Sequence, residues 1–356
     1  MKLRILNVVG ARPNFMKMAP LLRAYRQHPE AFAPLLVHTG QHYDENMSQQ
    51  FLDELQLPAP DINLGVGPGN HAEQTVRIMA ELGKVLAAEC PGLVVVVGDV
   101  NSTMAAAVMA AKHGIPVAHV EAGLRSGDLT MPEEINRIVT DAVSDYCFTP
   151  SADADENLRR EGVPSDRIIL AGNVMIDSLR HLLPAAQRRG NRPAGRYGFV
   201  TLHRPRNVDD RDTLAGILLA LERIELPLVF PVHPRTAARL KEFGLAPKLN
   251  LTGPLGYLDS INLLAGATLV ITDSGGVQEE TTALGVPCLT LRDSTERPVT
   301  VTAGTNTLVG ADAGKLLRAV GKILAGKDKT GHVPPLWDGH AAERIVQWLQ
   351  EHPPKR

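Results

Sequence analysis

Short apolar runs alternate along this chain with longer stretches whose apolar residues recur at helical spacing. In the first half the runs are Leu3–Val9, Phe32–His38, Leu93–Val97, Val117–Val120 and 147–149; in the second they are 197–202, 228–232, Leu269–Thr272 and 287–291. Such runs, too short for helices and apolar on successive positions, read as strands buried on both faces. Strands alternating with helices predict parallel, doubly wound α/β sheets covered on both sides. A polar stretch rich in Arg, Gly and Pro at 187–196 separates the halves, and an earlier boundary near 171–177 fits as well. Two doubly wound domains with an active cleft between them are therefore expected. The last helix, Ala341–Glu351, follows a Pro/Gly-rich passage at 333–339, so it can travel some distance before packing. No repeat of solenoid period is evident, and the tail at 353–356 should fray.

Composition supports this picture and removes several function classes. A chain of 356 residues exceeds the usual size of one core. With 44% hydrophobic and 21% charged residues it matches ordinary soluble globular proteins. A net charge of −2 without any Lys/Arg block gives no reason to expect nucleic acid or an anionic membrane as partner. Local basic residues must then serve local anions. Cys90, Cys147 and Cys288 are isolated and odd in number, which argues against a disulfide framework and against metal-ligand pairs. The N-terminus starts a strand without a long apolar run or cleavage site, and no segment reaches membrane-spanning length, so a cytoplasmic protein is expected.

The densest chemistry lies in His119-Val-Glu121-Ala-Gly-Leu-Arg125-Ser followed by Met131-Pro-Glu133-Glu-Ile-Asn-Arg137. Glu121 closes a strand, the position where α/β proteins place ligands. Pro132 suits the first turn of a helix on which Glu133 and Arg137, four apart, share a face; a surface ion pair is the plain alternative. Asp99 closes the apolar strand Leu93–Val97, where it could also cap the next helix, as could Asn101 or Ser102. If Asp99, Glu121 and Glu133 converge, their repulsion should raise at least one pKa and create a proton-transfer group. The first strand turns through Gly10-Ala11-Arg12-Pro13 into a helix bearing Lys17, and two cations near a helix start invite a bound anion.

In the second half, Thr272-Asp273-Ser274-Gly275-Gly276 reads as strand, glycine turn and helix. Free backbone N–H groups at Ser274, Gly275 and Gly276 suit a pyrophosphate, and Glu280 one turn later can accept hydrogen bonds from ribose hydroxyls. His203 and His233 end successive strands, where histidine can exchange protons or donate to phosphate. No local spacing supports a metal site.

Together these segments resemble the non-hydrolysing UDP-N-acetylglucosamine 2-epimerase family from end to end. The resemblance rests on Gly10-Ala-Arg12-Pro with Lys17, Thr39-Gly-Gln41-His42, Gly98-Asp99, the Glu121 and Glu133 motifs, His203-Arg204, Ser274-Gly-Gly-Val-Gln-Glu-Glu280 and Thr295-Glu-Arg297-Pro. It implies the GT-B architecture: a Rossmann-like domain over 1–172 completed by the C-terminal helix at 341–356, and a UDP-binding one over 173–340. It also implies a homodimer that interconverts UDP-GlcNAc and UDP-ManNAc for surface polysaccharides, with neither nicotinamide nor metal. The implied route eliminates UDP to 2-acetamidoglucal and adds it back. Asp99, Glu121 and Glu133 would transfer protons, Arg137 would orient them and His203 would assist the departing diphosphate. Arg12, Lys17, His233, Ser274, Gly275, Gly276, Glu280 and Arg297 would bind UDP. Ser260 stands where relatives often have an aromatic residue, leaving the Leu255 backbone to meet the uracil. Gln41 and His42 match an allosteric motif of regulated members, but 65–70 lacks the accompanying cation, which counts against allosteric activation. The rival readings are an epimerase of a 2,3-diacetamido uronic acid nucleotide, a hydrolysing epimerase releasing ManNAc and UDP, and a GT-B glycosyltransferase.

Overall fold

The computed structural model describes residues 2–41 and 52–354. The chain divides into two compact units, Met1–His181 with Pro335–Arg356, and Leu182–Pro334. The first division falls inside the helix Val174–Gln187, beyond residue 172, and the returning segment opens at Pro335, ahead of residue 341.

In the first unit, β1 (Leu3–Val9), β2 (Phe32–His38), β3 (Ile62–Asn63), β4 (Leu93–Val97), β5 (Val117–Val120), β6 (Tyr146–Thr149) and β7 (Ile168–Leu170) form one sheet in the order β3-β2-β1-β4-β5-β6-β7. Every pairing is parallel. The all-apolar β4 is buried at each position, as a strand covered on both faces requires. Leu6, Val8, Val94 and Val96 pack against Leu82 and Leu86 of the helix His71–Glu89 and against Ala106, Ala107 and Ala110 of the helix Asn101–Lys112. The strand order reverses between β1 and β4, so the carboxyl ends of β1, β4 and β5 flank the place where such sheets bind ligands.

The C-terminal helix Ala341–Glu351 belongs to this unit. Its first amides, of Ala341 and Ala342, donate to the Asp177 carboxylate at 3.1 and 2.7 Å. Trp348 sets its ring edge-on to Tyr146 and Phe148, and the buried Trp337 donates its indole N–H to the Pro150 carbonyl at 2.9 Å.

The second unit repeats the design with β8 (Gly198–Thr201), β9 (Leu228–Pro231), β10 (Leu251–Thr252), β11 (Leu269–Thr272), β12 (Cys288–Thr290) and β13 (Asn306–Leu308), ordered β10-β9-β8-β11-β12-β13 and again all parallel. Val200, Phe230, Ile271 and Leu289 pack on Leu214, Leu218 and Leu221 of the helix Arg211–Glu222 and on Leu316, Val320 and Ile323 of the helix Ala313–Leu324. Its switch point lies between β8 and β11. The doubly wound α/β expectation holds for both units; β3, β7, β10 and β13, which the apolar pattern does not announce, are the sheet-edge strands. Among the described residues no helix is long and apolar enough to cross a membrane.

Candidate active site

In the first unit the turn after β1 is fastened by Asn14. Its Oδ1 accepts from the N–H groups of Gly10 and Ala11, both at 3.0 Å, while its Nδ2 donates to the Val97 carbonyl at 2.8 Å. Arg12, the first residue of the helix Arg12–Tyr25, is exposed. Lys17 is 4% exposed, and its ammonium is paired with Glu121. Lys17 and Glu121 thus face each other inside the unit, 104 residues apart in sequence.

Glu121 follows β5 with φ +73°, in the left-handed region. That conformation costs a non-glycine residue about 1–3 kcal/mol and persists only where its surroundings fix it. Gly98, also left-handed at φ +67°, lies beneath the Lys17–Glu121 pair: a Cβ there would stand 2.7 Å from Lys17 Nζ and 3.2 Å from Glu121 Oε2. The end of β4 is therefore shaped to let this ion pair lie across it.

Asp99 is not a helix cap. The N-cap of Asn101–Lys112 is Val100, and the Asp99 carboxylate meets Arg137 Nη1 at 2.5 Å. Arg137, 2% exposed, is also held by Glu134 Oε2 at 2.6 Å. The expected Glu133–Arg137 pair is thus replaced by Glu134–Arg137, three residues apart on the helix Pro132–Val143. Burial works against the charge on Glu134, but the Ser126 N–H, the Arg137 guanidinium and the Gly127 N–H hold its pKa below the ordinary value. Glu133 is half-buried in the first helical turn without an ion pair among the described residues. Asn136 Nδ2 donates to the Asp99 carbonyl at 2.9 Å. The expected mutual repulsion of three carboxylates is therefore offset at two of them by buried cations.

Gln41 is buried, and its Oε1 accepts from the Ser102 hydroxyl at 2.6 Å and the Ser102 N–H at 3.2 Å. The Gln41 side chain is thus tied to the start of the helix Asn101–Lys112. His42 lies outside the described residues.

In the second unit the fully buried Asp273 organises the ends of β8 and β11. It accepts from the N–H groups of His203 at 3.0 Å and Arg204 at 2.9 Å, from Asn207 Nδ2 at 3.1 Å, and lies 2.9 Å from His203 Nδ1. Burial opposes its charge, but the His203 hydrogen bond and charge and these amides lower its pKa. The His203 and His233 rings are 5.4 Å apart. His233 caps the helix Pro234–Phe243, its Nδ1 accepting from the Arg235 N–H at 3.2 Å, so in the neutral ring Nε2 carries the proton.

Ser274 is the N-cap of the helix Gly275–Leu284 without a side-chain cap bond. Gly275 is buried, and a Cβ there would lie 2.5 Å from Arg297 Nη1 and 2.7 Å from Glu296 Oε1. Arg297, buried, bonds Glu279 at 3.0 Å and pairs with Glu296. Arg292 holds the other Glu296 oxygen at 2.7 Å, and Arg204 stands 3.9 Å away. Burial opposes the Glu296 charge, yet Arg297 and Arg292 bring its carboxyl well below the usual range. Three arginines thus surround two carboxylates beside the glycine turn. Glu280 is buried with the Tyr257 hydroxyl donating to its Oε1 at 2.7 Å; burial raises its pKa to about 7, the Tyr257 bond pulling down and Glu279 pushing up. Leu255 packs, half-buried, on the cluster of Tyr197, Phe199 and Leu263. Among the described residues no group of three His, Cys, Asp or Glu is placed to hold a metal.

Sequence reasoning missed Asn14, Glu134, Asn136, Tyr257, Asp273 and Glu296 as organising residues. Asp273 carried a signal, a carboxylate closing an apolar strand just as Asp99 and Glu121 do. Tyr257 and Glu296 carried none, because their partners are distant in sequence or hidden among other charges.

Two Rossmann-like parallel sheets, one ending in paired carboxylates and the other in an arginine-framed glycine turn, define a two-domain α/β enzyme of the GT-B class. The family model described as UDP-N-acetylglucosamine 2-epimerase matches residues 23–350. The UDP-N-acetylglucosamine 2-epimerase of Methanocaldococcus jannaschii is 44% identical over 98% of this chain and 99% of its own. The UDP-2,3-diacetamido-2,3-dideoxy-D-glucuronate 2-epimerase of Pseudomonas aeruginosa is 41% identical over 98% and 99%. Among solved structures, that of the M. jannaschii enzyme in complex with UDP-GlcNAc and UDP superposes with a TM-score of 0.90 at 42% identity, covering 98% of this chain and all of that one. The Neisseria meningitidis enzyme bound to UDP-GlcNAc gives 0.89 at 30% identity, covering 98% of this chain and all of that one. The chain belongs to the UDP-N-acetylglucosamine 2-epimerase family, a family of isomerases.

Proposed function

We propose that this enzyme interconverts UDP-GlcNAc and UDP-ManNAc by elimination and re-addition. A base removes the carbon 2 proton as the bond from carbon 1 to UDP breaks, leaving 2-acetamidoglucal. UDP then re-forms its bond to carbon 1 while carbon 2 takes a proton on the other face. Two opposed proton transfers need more than one acid/base group, and the observation that carries the reading is the set at the ends of β4 and β5: Asp99 on Arg137, Glu121 on Lys17, and Glu133 in the adjoining helix turn. Arg137 orients these groups, and Lys17, paired with Glu121, also serves the UDP diphosphate.

Most of the UDP-binding groups come from the second unit, with Arg12 and Lys17 from the first. The N–H groups of Ser274, Gly275 and Gly276 with Arg297 meet the diphosphate, Glu280 the ribose and the Leu255 backbone the base. Arg12 and His233 add donors to the phosphates, and His203, steadied by Asp273, stabilises charge developing on the departing diphosphate. A homodimer and a cytoplasmic location accompany the reading; light scattering and cell fractionation test them. A second reading, epimerisation of a 2,3-diacetamido uronic acid nucleotide, is favoured by the Pseudomonas aeruginosa relative, whose 41% identity is close to the 44% of the M. jannaschii one.

The test is incubation with UDP-GlcNAc alone, followed by proton NMR. A new UDP-sugar with ManNAc configuration is expected. Free ManNAc would identify a hydrolysing enzyme. No reaction, with turnover of the diacetamido uronic acid nucleotide, would favour the second reading.

A further inference from the structure

His119 lies within β5, fully buried, with both ring nitrogens engaged: Nδ1 is 2.6 Å from Asp141 Oδ1 and Nε2 is 2.8 Å from the Gly98 carbonyl. A carbonyl cannot donate, so Nε2 carries a proton. A ring nitrogen and a carboxyl oxygen this close also need a proton between them. The pair therefore holds two protons, one on Nε2 and one between Nδ1 and the Asp141 carboxyl. Burial opposes the Asp141 charge, yet His119 and Arg125 keep its carboxyl below the ordinary value.

The other Asp141 oxygen accepts from the Gly123 N–H at 3.1 Å and pairs with Arg125 Nη1 at 2.7 Å. Arg125 continues to Glu161 through two bonds of 2.7 and 2.6 Å. One ion pair thus reaches three elements. Gly98 directly precedes Asp99, Gly123 lies two residues after the left-handed Glu121, and Asp141 sits one turn after Arg137 on its helix.

We propose that His119 and Asp141 are positioning residues that fix Asp99, Glu121 and Arg137 relative to one another. The proposal rests on the epimerase reading for what the positioned groups do. A buried charge pair is weak evidence for stability, since apolar residues of like volume often serve better. Its placement suits registry, and an over-determined frame is what the left-handed Glu121 backbone requires.

The test begins with substrate-free wild-type protein labelled with 15N-histidine. One histidine whose ring N–H protons are at low field and exchange slowly is expected and should vanish in His119→Gln. In Asp141→Asn the amide cannot serve both His119 and Arg125, and small misplacements of reacting groups can cost on the order of 100-fold. Asp141→Asn and His119→Gln should each lower kcat by about 10- to 100-fold, with KM for UDP-GlcNAc within about threefold. A wild-type spectrum without a slowly exchanging, low-field histidine N–H overturns the proposal. So does wild-type kcat in either variant, or a loss confined to KM. If Asp141→Asn does not fold, the wild-type spectrum and the His119→Gln kinetics decide. A wild-type enzyme inert on UDP-GlcNAc defeats the functional reading instead, because the spectrum is read without substrate.

Discussion

Replacing Gly275 by alanine tests the arginine-framed turn with a single methyl group. The added Cβ would stand 2.5 Å from Arg297 Nη1 and 2.7 Å from Glu296 Oε1, against an ordinary contact of 3.4–4 Å. The guanidinium must therefore retreat by roughly 1 Å, a distance set by carbon contact radii. Arg297 cannot simply swing away, because Glu279 holds it at 3.0 Å and Glu296 pairs with it. A retreat of that size breaks one charge-assisted bond to phosphate, about 1.5–3 kcal/mol, equivalent to a roughly 10- to 150-fold weaker UDP complex. Overpacking costs about 1–3 kcal/mol, offset by about 0.4–1 kcal/mol of unfolded-state entropy, so the variant should remain folded. Gly275→Val would push into the same two side chains harder, so it cannot report ligand obstruction on an otherwise intact fold. Calorimetry with UDP, controlled by thermal unfolding, is the assay. UDP affinity within twofold of wild type would refute the placement of diphosphate beside Arg297.

Glu121→Gln should lower turnover by about 100- to 10,000-fold with much smaller change in UDP affinity; turnover above a third of wild type would make Glu121 structural. In deuterated water the product epimer should carry deuterium at carbon 2, and product that fully retains its original proton would exclude elimination through an exchanging base. Glu280, raised to about 7 by burial, should make UDP binding strengthen between about pH 6 and 8 as the carboxylate forms to accept ribose hydroxyls. Tyr257→Phe removes the bond that lowers this pKa and should shift the rise to higher pH; titrating both proteins cancels the titration of UDP itself, and coincident profiles would sink the idea. For stability the sign is opposite: with a folded pKa above the ordinary value of 4.5, the contribution of Glu280 is full below about pH 4.5 and lost as pH rises through about 7. The denaturation midpoint of Glu280→Gln should therefore vary less over that window than that of the wild type.

The interior of each sheet was legible because burial on both faces demands a continuous apolar run, as in β4 or β11. The edge strands were not. β3, β10 and β13 are two or three residues long and each contains Asn or Thr, while β7, though apolar, spans three residues and is only half-buried. An edge strand is held by one neighbour and needs no long hydrophobic stretch. The positions of site residues at strand ends were equally legible, since Asp99, Glu121, His203 and the 274–276 turn all interrupt apolar runs. Their partners were not. Arg137 faces residues three and four before it on a helix, and spacing alone cannot choose between Glu134 and Glu133. Lys17 and Glu121 are separated by 104 residues, so only the sheet order, β1 beside β4 beside β5, brings them together.

Partner choice alters the chemistry expected of three carboxylates that the sequence presents alike. Glu121 lies against an ammonium, Asp99 against a guanidinium, and Glu133 has no ion pair among the described residues. The guanidinium is itself clamped by Glu134, and Lys17 is buried against Glu121, so both carboxylates are held by buried cations. On the proposed elimination route, these two held carboxylates and Glu133 in the first turn of its helix would give more than one group to move the carbon 2 proton. The left-handed backbone of Glu121 accompanies this pairing: its carboxylate meets the Lys17 ammonium beside the glycine that follows β4.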